Sequence, residues 1–150
     1  MTERDGLRGQ IEQQLHRAED ALVHGDAGPR LSMWSRRDPV TLFAALGVSK
    51  AGWQELEPMF RKVASRLAGG RDVSYELLSF EASGDIAWAI GISRFTVGID
   101  GGQIKPYALR LTNLFRKEDG EWKVVHEHSD FQPSDHPTPA IPPVARLADR

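Results

Sequence analysis

From Gly6 to His24 the residues Leu7, Ile11, Leu15, Ala18 and Leu22 recur at helical spacing with Arg, Glu, Gln and Asp between them. This is the pattern of an amphipathic helix laid across a sheet. Asp5 can cap its start and Gly25 can stop its end; Gly25-Asp26-Ala27-Gly28-Pro29 reads as a break. Between Leu31 and Phe43 the residues Val40, Thr41 and Phe43 favour a loop and a short extended piece. Ser49 can cap a second helix from about Lys50 to Ala68, with Trp53, Leu56, Phe60, Val63 and Leu67 as its buried stripe. Gly69-Gly70 ends it, and Pro58 predicts a kink inside it. Strand patterns follow at 72–82 and 86–98, separated by Ser83-Gly84-Asp85, and Asp100-Gly101-Gly102 leads toward a third from Lys105. In the second of these, Trp88, Ile90 and Ile92 alternate with Ala89, Gly91 and Ser93, which puts Arg94 in phase with the large apolar side chains.

The stretch from Ala108 to Asp130 reads as a β-hairpin around Glu118-Asp119-Gly120. A three-residue loop sets Lys117 opposite Glu121, an attractive pair, whereas a two-residue turn would oppose Glu118 and Glu121, two like charges. The longer loop is therefore expected. Strand alternation then gives one face Leu109, Leu111, Asn113, Phe115, Val125, Glu127 and Ser129. The other face receives Arg110, Thr112, Leu114, Arg116, Trp122, Val124, His126, His128 and Asp130. The first is an apolar floor with three polar groups in it, the look of a ligand pocket. The second is polar and aromatic, with Arg110 and Thr112 opposing His128 and His126. It is too rich in Trp, Val and Leu to be left wet, so a second subunit is expected to cover it, with an interface that loosens as the histidines protonate.

Composition narrows the class. At 150 residues, 40% hydrophobic and 27% charged, the chain has the balance of one globular domain. A net charge of −2 argues against a nucleic-acid partner, which needs a basic face. With no cysteine, disulfides, thiolate catalysis and cysteine-based metal sites are excluded. No apolar run approaches membrane-spanning length and the first five residues do not resemble a signal peptide, so a soluble cytoplasmic protein without a membrane partner is expected. Five of the nine prolines, Pro133, Pro137, Pro139, Pro142 and Pro143, crowd the end of the chain. That density blocks ladder pairing, so residues 1–133 are read as the domain and 134–150 as a flexible tail.

Two clusters carry candidate chemistry. Glu127, on the presumed cavity face, is a carboxylate in apolar surroundings, the kind of group that can move a proton, and Arg94 could bind an anionic enolate or a substrate carboxylate across the cavity. The same two residues could equally be a structural ion pair. His126, His128 and Asp130 share the other face, about 6.6 Å apart at alternate positions. They could serve as a general-base dyad or as hydrogen-bonding groups at a subunit contact; Arg110 beside them speaks against a metal ion, and no metal or other cofactor is expected. Met33 and Trp34 suit either a pocket wall or core filling.

The order of a helix, then Trp34-Ser35-x-x-Asp38-Pro39-Val40-Thr41-Leu42-Phe43, a helix opened by Gly52-Trp53, and finally Arg110-Leu-Thr-Asn-Leu-Phe-Arg-Lys-Glu-Asp-Gly-Glu-Trp-Lys-Val-Val-His-Glu-His-Ser-Asp130 resembles the SnoaL-like branch of the nuclear transport factor 2-like superfamily over roughly Leu7 to Phe131. The hairpin also resembles the association domain of calcium/calmodulin-dependent kinases. The resemblance implies an α+β fold, a cone-shaped α+β barrel with N-terminal helices packed on a strongly curved antiparallel sheet, and a homodimer through the outer sheet face. Pocket arginines of the kinase-type relatives match Arg94, Asn113 and Ser129, of which only Arg94 is an arginine here. The chain is thus expected to bind a small, largely apolar molecule in the cone, touched by Met33, Trp34, Trp53, Trp88, Asn113, Phe115 and Ser129. A cofactor-independent isomerase, cyclase or dehydratase-type proton transfer is the chemistry such relatives suggest. The alternative is a non-catalytic assembly module whose cone is filled by Trp34, Trp53, Trp88 and Phe60.

Overall fold

The computed structural model describes residues 2–132, and the proline-rich segment 134–150 lies outside them. Helix α1 (Glu3–Val23) starts on Thr2, whose hydroxyl accepts from the Asp5 backbone N–H while the Asp5 carboxylate accepts from the Thr2 N–H. Asp5 is thus the third helical residue of a capping box rather than the cap itself. The helix buries Ile11, Leu15, Ala18 and Val23, and with them Glu19. Helix α2 (Gly28–Met33) replaces the expected break and loop: Pro29 supplies the fixed φ of a first turn, and Asp26 Oδ1 accepts from Gly28 N at 2.8 Å. Strands β1 (Thr41–Ala44) and β2 (Val48–Ala51) form a short hairpin, so Lys50 belongs to a strand and helix α3 is Trp53–Ser65. Pro58 sits inside α3 and Leu56, Phe60 and Ala64 are its buried positions.

Four long strands complete the chain: β3 (Leu67–Ser83), β4 (Ile86–Ile99), β5 (Lys105–Glu118) and β6 (Glu121–Phe131). They join one six-stranded sheet in the order β2-β1-β6-β5-β4-β3, antiparallel except where β1 runs parallel to β6. Irregular register along β3 against β4 bends the sheet. The helices cover its concave side, where Ile11, Leu15, Leu31, Trp34, Leu42, Leu56, Phe60, Leu77, Leu111, Phe115 and Val124 make the main core.

The central hairpin departs from the sequence reading in two ways. It closes with a two-residue turn: Glu118 faces Glu121, and Asp119 and Gly120 have φ of 50° and 82°, the positive values of a type I′ turn. The like-charge pair is tolerated because Glu118 turns away to Ser35 Oγ (2.8 Å) and Arg116 Nε (2.7 Å), while the exposed Glu121 meets Lys123 at 3.4 Å. Burial disfavours the Glu118 carboxylate, but those hydrogen bonds outweigh it and hold its pKa below the usual range. Second, the pairing steps from Phe115↔Val124 to Leu114↔His126, a bulge that leaves Val125 over. Val124 is consequently buried, and Trp122 lies on the helix side near Leu7, Ile11 and Met33 rather than on the outer face. Beyond the bulge Arg110 opposes Asp130 and Thr112 opposes His128, not the pairings expected from strict alternation.

In β4 the outward and inward faces are reversed relative to hydrophobic size. Ala87, Ala89, Gly91 and Ser93 point into the protein and are buried, while Ile86, Trp88 and Ile90 are 50%, 38% and 39% exposed. The Tyr75 ring lies across Gly91, where a Cβ would sit 2.5 Å from the Tyr75 hydroxyl and 2.5 Å from the Glu76 carbonyl oxygen. Only small residues fit beneath the helices and this ring.

Candidate functional site

The interior of the cone holds a charged cluster. Arg30, carried in by α2, donates from Nη1 to Glu127 Oε1 of β6 at 2.6 Å and from Nη2 reaches Glu19 Oε1 of α1. The three side chains are 2%, 5% and 3% exposed. Asn113 of β5 donates from Nδ2 to the same Glu127 oxygen at 3.0 Å. Adjoining them is a cavity of about 60 Å³ with an almost wholly apolar wall, formed by residues such as Leu22, Leu42, Phe60, Val63 and Leu109, with Glu19, Arg30, Glu127 and Ser129 at its margin. The Tyr75 hydroxyl, Ser93 Oγ, Asn113 Oδ1, Arg30 Nε and Trp34 Nε1 are buried without a hydrogen-bond partner among the described residues. Burial pushes the Tyr75 pKa up, with the Arg30 charge as the largest opposing influence, so its hydroxyl stays neutral.

The residues named from sequence separate into three groups. Glu127, Asn113, Ser129, Phe115 and Trp34 lie inside; Trp34 packs on Phe60 with ring centroids 5.5 Å apart, and Ser129 Oγ accepts from Ala45 N at 3.3 Å. Met33 and Trp53 lie at the edges, the first beside Trp122 in an open groove, the second under the Arg36 guanidinium at 4.9 Å. Arg94, Trp88, His128 and Asp130 are on the outer face, with His126 half-buried beside them. Arg94 pairs there with Glu76 at 3.1 Å and is about half exposed. The expected Glu127–Arg94 pair therefore does not exist, because β4 turns its small residues inward. Nor does Trp88 fill the cone.

The outer polar residues are each engaged. His126 Nδ1 lies 2.7 Å from Thr41 Oγ1, and its ring packs edge-on against Phe43, as does that of His128. Burial lowers the His126 pKa, and the His128 charge lowers it further, against smaller upward pulls from Thr41 and Glu127. Asp130 receives two 2.6 Å hydrogen bonds from Arg110, which hold its carboxyl below the usual range. This ties Asp130 to Arg110 rather than to a histidine, and no group of three or more potential metal ligands occurs among the described residues.

The sequence reading missed Glu19, Arg30 and Tyr75. A signal existed for Glu19, four residues after Leu15 and eight after Ile11 on the buried stripe. Arg30 had none beyond Pro29 opening a helix, because its direction depends on how α2 docks.

A curved sheet with helices in its hollow and a buried polar cluster at the base defines a nuclear transport factor 2-like cone. Solved structures carry the same fold. A ketosteroid isomerase-like protein from Erwinia carotovora atroseptica is 19% identical, with a TM-score of 0.68 over 81% of this chain and 92% of that one. A protein proposed as a dehydratase of the nuclear transport factor 2-like family, from Streptomyces avermitilis, is 16% identical with a TM-score of 0.69 over 85% and 98%. A protein proposed as a calcium/calmodulin-dependent protein kinase type II association domain, from Thiobacillus denitrificans, is 18% identical with a TM-score of 0.62 over 81% and 91%. The family model for the SnoaL-like domain matches residues 11–132, and the chain belongs to that family. No curated protein matches the sequence. No helix among the described residues is long and apolar enough to cross a membrane.

Proposed function

We propose that the chain binds a small, largely apolar molecule in its cone, with the polar end of the ligand against Glu127, Arg30 and Glu19. The observation that carries this reading is the buried charge cluster beside an apolar cavity. Ion pairs of this kind are poor sources of stability, and well-packed apolar residues in their place are often neutral or better. Three charges and a set of unpartnered polar atoms in a core are better explained by a guest than by folding. A ligand carbon held over Glu127 would also meet a carboxylate able to take its proton, the step shared by isomerase, cyclase and dehydratase chemistry. Native mass spectrometry of the purified protein tests the binding: a retained small molecule, lost in Glu127→Gln, supports it, and an empty protein from every expression host refutes it. Proton transfer is tested by deuterium exchange into the released ligand, which Glu127→Gln should abolish.

A second reading, assembly without catalysis, is favoured by the outer face. Leu78, Ile86, Trp88, Ile90 and Leu114 expose between 37% and 54% of their surface on that face, with Trp88 paired to Leu114 across β4 and β5. Such a strip fits a two-fold contact with a second copy. Trp88→Glu should convert a dimer to a monomer in sedimentation; a monomeric wild type removes this reading.

A further inference from the structure

The apolar cavity borders a surface groove that supplies the charge its own wall lacks. Leu46, in the loop between β1 and β2, and Val63 of α3 line the cavity and also line a groove of about 280 Å³. Both side chains are half-buried and stand between the two spaces. Beyond them the groove carries Lys50, Lys62 and Arg66 and no acidic residue. Arg66 is already held by Asp100 through two 2.7 Å hydrogen bonds, but Lys50 and Lys62 take part in no ion pair with a described residue. The groove is thus locally positive on a chain whose net charge is −2. The inner margin of the cavity has the opposite sign: Glu19 and Glu127 share the single cation Arg30, a formal −1 with both carboxylates ionised. An acidic group on a guest is disfavoured there, where it would bury a second negative charge. It is favoured in the groove, beside two ammonium groups without counterions.

We propose that the cone takes an aliphatic carboxylate, its chain passing between Leu46 and Val63 into the cavity and its carboxylate remaining in the groove on Lys50 and Lys62. This rests on the reading of the cone as a ligand site and specifies the end of the ligand that stays outside; any polar group at the inner end is uncharged. The 60 Å³ of the cavity corresponds to about two waters at ~30 Å³ each. Only the end of a chain fits inside, and the groove holds the rest. Hexanoate, heptan-1-ol and heptylammonium have the same number of non-hydrogen atoms and differ in charge.

The test is a titration of the full chain at pH 7 with each probe to roughly 10 mM, since so few atoms cannot bind tightly. It is followed through the methyl NMR signals of Leu42, inside the cavity, and of Leu46 and Val63 at its mouth. Hexanoate is expected to shift all three at a concentration about fivefold lower than heptan-1-ol, the factor that partly exposed ion pairs give, with heptylammonium weakest. Sodium chloride at roughly 1 M, where charges are screened within about 3 Å, should remove the preference. Lys50→Gln combined with Lys62→Gln should remove it as well, and Lys50→Glu with Lys62→Glu should transfer it to heptylammonium; neither position is in the core, and the amide spectrum checks that the fold is kept. Heptan-1-ol or heptylammonium equalling hexanoate would overturn the acidic end and leave the cone as a ligand site. A preference for hexanoate that survives both pairs of substitutions would overturn its place on the lysines. Unchanged Leu42 signals with all three probes would overturn the proposal and the reading of the cone together.

Discussion

Replacing Arg30 by methionine keeps most of the side-chain volume and removes the one cation between two buried carboxylates. Glu19 and Glu127 are 3% and 5% exposed, so water cannot take over the role of the guanidinium. Breaking a buried pair by deleting one partner costs about 3–5 kcal/mol. An independent bound comes from the proton that could replace the cation. Protonating a glutamate of ordinary pKa, about 4.3, at pH 7 costs about 3.7 kcal/mol, from 2.7 pH units at 1.36 kcal/mol each. The two figures agree, and the second predicts a pH dependence. The folded variant would hold a proton that its unfolded chain does not, so its stability should fall as pH rises; at pH 5 the same protonation costs only about 1 kcal/mol. Urea unfolding followed by tryptophan fluorescence at pH 7 and pH 5 measures both numbers. Arg94→Ala is the control: its pair with Glu76 is half exposed, and surface pairs contribute about 0–1 kcal/mol. A loss below about 1 kcal/mol for Arg30→Met at pH 7, with no recovery at pH 5, would refute the account of the cluster.

Gly91→Ala should destabilise by about 1–3 kcal/mol, because the new Cβ would meet the Tyr75 ring and the Glu76 carbonyl; Tyr75→Leu in the same background should recover part of that loss in chemical denaturation. His126 has a lowered pKa from burial and His128, so the unfolded chain takes up its proton first as pH falls. Stability should therefore decline below about pH 6.5, and His126→Gln should flatten the decline in melting curves between pH 7 and pH 5.5. A chain ended after Ser134 should keep the wild-type circular dichroism and melting temperature, since the last described hydrogen bond, Gln132 N to Ala108 O at 2.9 Å, already closes the sheet; loss of folding would contradict a domain boundary near residue 133.

The sequence by itself determined helix α1, most of α3, the long strands and the hairpin at the centre of the sheet, but neither α2 nor β2. Helical periodicity in α1 and a turn at Glu118-Asp119-Gly120 are local facts, set by spacing and backbone preference, although the turn closes one residue tighter than charge pairing predicts. Local pattern did not decide which side of a strand is the inside. In β4 the alternation of Trp88, Ile90 and Ile92 with Ala89, Gly91 and Ser93 is unmistakable. Yet the larger residues face outward, because the space under α1 and the Tyr75 ring admits only small ones. A one-residue bulge at Val125 moved Val124 and Trp122 to the helix side while leaving Glu127 and Ser129 inside. Alternation cannot foresee such a step. The partner of Glu127 lies 97 positions away in Arg30, on a helix shorter than two full turns whose placement depends on docking against α1. Buried charges find their counterions through packing, so the tertiary structure alone replaced Arg94 by Arg30 and Glu19.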